Sequence, residues 1–310
     1  EKKKSKVEDA YDDKSLSTYR IFSRQFCNFV FPEPIVRPLP KESVEKTINA
    51  CKESDDFQEE CDNIIEEMGD KSYDEKVQEA LKQLKNKQDV LSDESQLKII
   101  SPKFLALMKN IQNPQNKGLN LVYTQFKSVE GIGTLSIILE ANGFSQFKIK
   151  KKGTDDWTID VPEDAKKSGK LFAQYIGDVK EDEREVLRNI YNGDWEYLPK
   201  GLVGELNEIH KNNLYGEIIK ILMITASGAE GINLKNTRFV HIVEPYWHPV
   251  RTEQVIGRAR RLKSHDALPK KERNVKVFMY LMEFTQDQID NKMALDIKKN
   301  DISKVNKKSG

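Results

Sequence analysis

From residue 119 onward the sequence alternates between two kinds of apolar pattern. Short uninterrupted runs stand at 119–124 (LNLVYT), 171–176 (LFAQYI), 219–225 (IKILMIT), 239–245 (FVHIVEP) and 275–282 (VKVFMYLM). Between them, near 128–141, 180–191, 203–212 and 250–262, apolar residues recur at helical spacing. Runs that are continuous rather than alternating belong to strands buried on both faces, and intervening helices supply the cover. The expected fold is α/β, a doubly wound parallel sheet with helices on both faces. The stretch 148–170, KIKKKGTDDWTIDVPEDAKKSGK, is polar and turn-rich around one WTIDV run, and it reads as a hairpin or loop inserted between core elements.

Upstream the pattern changes. Ser101 is placed to cap a helix, Pro102 suits its first turn, and Phe104, Leu105, Met108 and Ile111 form its apolar face. A compact domain is expected to begin at about residue 97. Before it lies a small helical region: Val77, Leu81 and Leu84 recur at helical spacing, as do Phe57, Cys61, Ile64, Ile65 and Met68. In the first forty residues Pro32, Pro34, Pro38 and Pro40 stop any helix from continuing, which leaves an extended connector with apolar contacts. The organisation read from this is a connector at 1–40, an acidic helical insert at 41–96, the α/β domain at 97–285 and a charged tail at 286–310.

Charge adds an asymmetry to that division. The 310 residues carry 51 Lys+Arg against 50 Asp+Glu, yet the first hundred hold 17 and 23 and the remainder 34 and 27. The basic second part is compatible with a polyanionic partner and equally with a solvated surface. No apolar run approaches the roughly 18 residues that cross a bilayer, and the opening EKKKSKVEDA lacks the apolar stretch of a signal peptide. Three cysteines, Cys27, Cys51 and Cys61, have no histidine at zinc-site spacing, so free thiols in a reducing compartment and no metal site are expected.

Ligands of open parallel sheets bind beyond the carboxyl ends of strands, so the residues after each run are the candidates. After ILMIT comes Thr225-Ala-Ser227-Gly228-Ala-Glu230-Gly231-Ile-Asn233. Small residues let backbone amides approach a phosphate, with the Thr225 and Ser227 hydroxyls as added donors; an ordinary tight turn is the other reading. After FVHIVEP comes Tyr246-Trp247-His248-Pro249 and then Gln254-Val-Ile-Gly257-Arg258-Ala-Arg260-Arg261. Steps of four and three put Gln254, Arg258 and Arg261 on one helical face, where two guanidiniums and a carboxamide make a phosphate clamp. Arg260 points elsewhere and is expected in a surface ion pair.

Taken in order, LVYTQF, YIGDVKEDERE, ITASGAEGINL, EPYWHP and QVIGRARR resemble motifs IV to VI of superfamily 2 helicases. The SPK helix start and the Trp-x-Pro before the last motif resemble the Swi/Snf-type branch. The connector STYRIFSRQFCNFVFPEP and the ending from Gln254 are similar to the transcription-associated ATPases of poxviruses and other large DNA viruses, nucleoside triphosphatase I and the early transcription factor small subunit.

The resemblance implies the second, RecA-like lobe of a two-lobed ATP-driven helicase or translocase. It implies that Arg258 and Arg261 act as arginine fingers with Gln254 beside them, and that Glu230, Gly231, Asn233 and Gly257 face the nucleotide. Thr124, Gln125, Phe126, Thr225, Ser227 and Gly228 would hold a DNA or RNA backbone, and Trp247 would couple that track to the arginines. A P-loop, GxxxxGK followed by Ser or Thr, occurs nowhere in the 310 residues. The connector therefore reads as leading from a missing first lobe. That lobe would hold most of the ATP and Mg2+, no metal would be bound by this chain, and the chain alone would be inactive. A viral RNA polymerase or transcription factor is a further expected partner, and the virion and host cytoplasm the expected location. An inert RecA-like module that binds nucleic acid or recruits the transcription machinery is the alternative.

Overall fold

A computed structural model describes residues 27–38, 72–153, 156–177, 179–226, 231–245, 249–283, 286 and 290. Residues 1–280 form one unit, and 281–310 a second in which few residues are described. The helices expected around Phe57 and Ile64 lie outside the described residues.

The first unit opens with helices α1 (Tyr73–Lys85), α2 (Gln88–Ser92), α3 (Glu94–Ile100) and α4 (Pro102–Gln112). There follow β1 (Leu119–Tyr123), α5 (Ile132–Ala141), β2 (Ser145–Gln146), β3 (Ile149–Lys152) and β4 (Asp156–Ile159). The chain continues through α6 (Glu163–Lys166), β5 (Leu171–Tyr175), α7 (Glu181–Asn192), α8 (Lys200–Ile209) and β6 (Ile221–Ile224). It closes with β7 (Thr237–Ile242), α9 (Pro249–Ala259) and β8 (Lys276–Met279).

Six strands form one sheet in the order β2-β5-β6-β1-β7-β8, every neighbouring pair parallel. Side chains alternate between two cores, as the pleat requires. Leu121 and Tyr123 of β1 and Leu222 and Ile224 of β6 join Val186, Leu202 and Val255 from α7, α8 and α9 on one side. Val122, Ile221 and Met223 join Leu84, Leu91, Phe104 and Ile138 from α1, α2, α4 and α5 on the other. The sheet is thus covered on both faces, and the fold is the expected RecA-like α/β lobe. The described helices before residue 97 contribute Ala80, Leu84 and Leu91 to the same core as Phe104, so the expected boundary at 96/97 passes through packed side chains.

Local signals account for the helix starts. Ser101 Oγ accepts from Phe104 N at 3.3 Å and Pro102 occupies the first turn of α4. Asp93 caps α3 by accepting from the amides of Ser95 and Gln96. The inserted segment is a hairpin, β3 antiparallel to β4, fixed to α8 through Glu205, which accepts from Ile159 N at 2.8 Å.

Several expected boundaries move; the helix expected at 203–212 spans Lys200–Ile209. The helix expected from 128 begins at Ile132, because the amides of Ile132, Gly133 and Thr134 donate to the carbonyls of Phe126, Lys127 and Ser128 and hold a loop there. The helix expected to 262 ends at Ala259, for reasons found in the site itself.

Candidate functional site

At the carboxyl edge of the sheet, β1 ends in Tyr123 and the chain turns through Thr124–Ser128, while β7 ends beside it and runs into Glu244. Glu244 is buried and ties the two together. One carboxylate oxygen accepts from Gln125 N at 2.8 Å; the other accepts from Thr124 Oγ1 at 2.8 Å and from Asn28 Nδ2. Thr124 Oγ1 in turn accepts from Phe126 N at 3.2 Å, which tightens the turn. Beneath lies Lys103 of α4, whose ammonium donates to Asn28 Oδ1 at 3.2 Å and to the Val243 carbonyl at 3.1 Å.

Burial pushes the Glu244 carboxyl up, against the bonds from Gln125 and Thr124 and the Lys103 charge, and burial pushes Lys103 down. Donors face both oxygens of Glu244, so the carboxylate form is the one this cage is built to hold.

The second half of the site is backbone-linked. Ile232 and Leu234 are buried while Gly231 before them and Asn233 between them are exposed, so alternate residues face the core and the outside. Gly231 has φ +74, a conformation that glycine adopts without strain. Asn192, at the end of α7, fixes the segment by donating to the Asn233 carbonyl at 3.0 Å and accepting from Lys235 N at 2.9 Å.

Helix α9 packs Thr252, Val255, Ile256 and Ala259 inward. Its last carbonyls are satisfied from outside the helix: Leu234 N donates to Arg258 O at 3.2 Å, and Ser264 Oγ lies 3.1 Å from Ala259 O. These contacts replace the next helical turn. Gln254 and Arg258 accordingly stand one turn apart on α9, as expected. Arg261 lies past the helix end, exposed, on a turn whose carbonyl accepts from Ser264 N at 3.1 Å; the single helical face expected for all three residues is corrected to two helical residues and one on the turn. Arg258 Nε is buried with no hydrogen-bond partner, whereas Arg260 faces Glu253 at 4.0 Å on the surface, as anticipated. Gly257, beside Arg258, has nothing within 4 Å of where a Cβ would stand.

Of the expected strand-binding residues, Thr124, Phe126 and Thr225 are buried and Gln125 is half-buried; Lys127, which is not among them, is exposed on the same turn. Ser227, Gly228, Glu230 and Trp247 lie outside the described residues. Asn28, Arg37, Lys103, Glu130 and Glu244 are the network that residue-by-residue reasoning did not single out. Asn28, Lys103 and Glu244 fall within blocks of the resemblance, in the connector, the SPK start and EPYWHP, while Arg37 and Glu130 fall in none. Among the described residues no group of three His, Cys, Asp or Glu stands together as a metal site, and no helix is long and apolar enough to cross a membrane.

Residues 102–263, which take in both halves of this site, match the helicase conserved C-terminal domain. The chain belongs to that family. Among relatives of this helicase C-terminal domain, the termination factor NPH-I homologue of African swine fever virus is 31% identical over 228 residues, covering 67% of this chain and 28% of the relative. Nucleoside triphosphatase I of Melanoplus sanguinipes entomopoxvirus is 26% identical over 212 residues, 68% of this chain and 25% of that one. The chain therefore spans about a quarter of the length of these relatives.

Proposed function

We propose that this chain is the second RecA-like lobe of a nucleic-acid-dependent ATPase, a helicase or translocase acting in the transcription of a large DNA virus. The observation that carries the reading is a guanidinium and a carboxamide one turn apart, those of Arg258 and the exposed Gln254, on the helix of the QVIGRARR motif. A triphosphate oxygen is the acceptor that a guanidinium suits best. The names of the two viral relatives, a termination factor homologue and a nucleoside triphosphatase, support the same reading.

ATP hydrolysis supplies the free energy of movement. This chain contributes the charge that stabilises the transferred phosphoryl group: Arg258 from α9, Arg261 from the following turn, Gln254 beside them, with Gly231, Asn233, Gly257 and Glu230 facing the nucleotide. The turn Thr124–Phe126 and the segment Thr225–Gly228 grip one DNA or RNA strand by its backbone, and Trp247 links the two functions. The ATP-binding lobe with its Mg2+, and the viral polymerase or transcription factors, are the partners this reading requires, in the virion and host cytoplasm. The chain by itself does not turn over ATP.

The test is nucleic-acid-stimulated ATP hydrolysis by the protein carrying both lobes, wild type against Arg258→Ala, with binding to a labelled strand measured at the same salt. Turnover is expected to fall by about 10³-fold or more with binding kept. Equal turnover in both removes Arg258 from the chemistry, and no turnover in either establishes the inert binding module instead. ATP hydrolysis by the purified chain that Arg258→Ala abolishes would overturn the division of labour between lobes.

A further inference from the structure

The connector 27–38 makes bonds that a mere tether does not need. Asn28 is fully buried and its amide is fully used: Nδ2 donates to the Glu130 carbonyl at 2.9 Å and to the Glu244 carboxylate, and Oδ1 accepts from Lys103. The order of donors and acceptors leaves no other side chain of this shape. Aspartate would set a carboxylate against Glu244 and against a carbonyl, and leucine would remove the bonds made to three groups, the Glu130 carbonyl, the Glu244 carboxylate and the Lys103 ammonium. The Asn28 carbonyl accepts from Ser101 Oγ, Phe29 enters the core, and Val30 N donates to the Ile100 carbonyl at 2.8 Å.

Nine residues on, Arg37 returns to the same place. It pairs with the buried Glu130 carboxylate through Nε and through Nη2 at 3.2 Å. The connector therefore grips Glu130 twice, carbonyl from Asn28 and carboxylate from Arg37. Glu130 is the pivot of the strand-binding turn: its φ is +53, and the next residue, Gly131, sits so close that a Cβ would stand 1.9 Å from the Phe126 carbonyl oxygen. Asn28 also reaches the other end of that turn, since Glu244 accepts from Thr124 and Gln125.

We propose that Asn28 and Arg37 are positioning residues through which the interlobe connector sets the shape of the Thr124–Ser128 turn and hence its grip on a nucleic-acid strand. The inference rests on the proposed function for the strand, and on the structure alone for the turn. Displacing the connector breaks bonds at both ends of the turn and leaves it its own backbone bonds, such as Ile132 N to Phe126 O at 3.0 Å.

The experiment compares the wild-type chain with Asn28→Ala, Arg37→Gln and, as a control, Tyr280→Phe, which removes a buried hydroxyl 3.0 Å from Asn110 and 2.7 Å from His241, away from the turn. Amide hydrogen exchange reads the Gln125 and Ile132 N–H groups, and a labelled oligonucleotide reads the grip at one salt concentration. Asn28→Ala is expected to speed exchange at both amides and to weaken strand binding on the order of tenfold, Arg37→Gln to do so more mildly, and Tyr280→Phe to do neither. Unchanged exchange at Gln125 and Ile132 in the Asn28 and Arg37 variants would overturn the proposal, as would strand affinity equal to that of the control. Should Asn28→Ala not fold, Arg37→Gln alone decides. A wild-type chain that binds no strand would sink the reading of function while the exchange data still decide whether the connector shapes the turn.

Discussion

The amide of Leu234 donates to the carbonyl of Arg258 at 3.2 Å, a backbone bond that joins the segment Gly231–Leu234 to the arginine-bearing helix. A side-chain change at 258 leaves that bond standing. Because Arg258 Nε has no acceptor, truncation removes no hydrogen bond of that nitrogen and relieves a buried unpaired donor. Arg258→Ala is expected to hold or raise the thermal unfolding midpoint. A fall of more than about 4 °C by calorimetry, roughly 1 kcal/mol or more for a domain of this size, would show that the guanidinium serves the fold instead of a ligand.

Glycine at 257 separates stability from function in a second way. It lies inside α9 with open space around the Cβ position, so Gly257→Ala is expected to gain about 0.5–1 kcal/mol in urea unfolding. Turnover in the two-lobed protein is expected to drop all the same, since the methyl would project on the side given to the nucleotide. Stability and turnover rising together would move Gly257 out of the cleft.

Gly131→Ala is the opposite case. An added Cβ meets the Phe126 carbonyl oxygen at 1.9 Å and must open the turn, which is expected to cost about 3 kcal/mol or more and to abolish strand binding by the folded fraction. Urea midpoints and oligonucleotide affinity, taken together, check it; a loss of stability under about 1 kcal/mol would mean that the turn adapts freely.

Much of the lobe was legible because its strands are buried on both faces and so announce themselves as unbroken apolar runs. Leu222 and Met223 read alike in sequence although they face different cores, and that ambiguity does no harm to a strand assignment. β2 escaped notice because it is two polar residues, Ser145 and Gln146, held by β5 and not by their own propensity. At the site, spacing put Gln254 and Arg258 one turn apart on a helix but could not see that Leu234 takes the Arg258 carbonyl and that the helix stops before Arg261. The Asn28–Glu244 bond spans 216 positions, and no local pattern encodes a contact of that separation. Buried polar residues such as Lys103 look, in one dimension, like surface.

His241 supplies a pH test of the core beneath the site. The ring is fully buried, stacked on Phe278 at 5.0 Å, and bonded on both nitrogens: Nε2 lies 3.0 Å from Asn120 Oδ1 and Nδ1 2.7 Å from the Tyr280 hydroxyl. An amide oxygen only accepts, so Nε2 carries the hydrogen and Nδ1 accepts from Tyr280, which itself accepts from Asn110 at 3.0 Å. That chain is complete with a neutral imidazole, and burial lowers the His241 pKa to about 3. Between about 6.5, the unfolded value, and about 3 the unfolded chain holds a proton that the folded one does not, so this contribution to stability is lost as pH falls through that window. Glu244 and Glu130, both raised by burial, act in the opposite sense, their contributions weakening as pH rises above the ordinary carboxylate range. The comparison of wild type with His241→Phe cancels those carboxylates. The variant is expected to be less stable near pH 7, because Asn120 Oδ1 loses its donor, yet to lose stability less steeply on acidification. The difference in slope should approach 1.4 kcal/mol per pH unit, about one proton, below roughly pH 6. Urea unfolding at a series of pH values measures it, and parallel slopes would mean that His241 is already protonated within the fold.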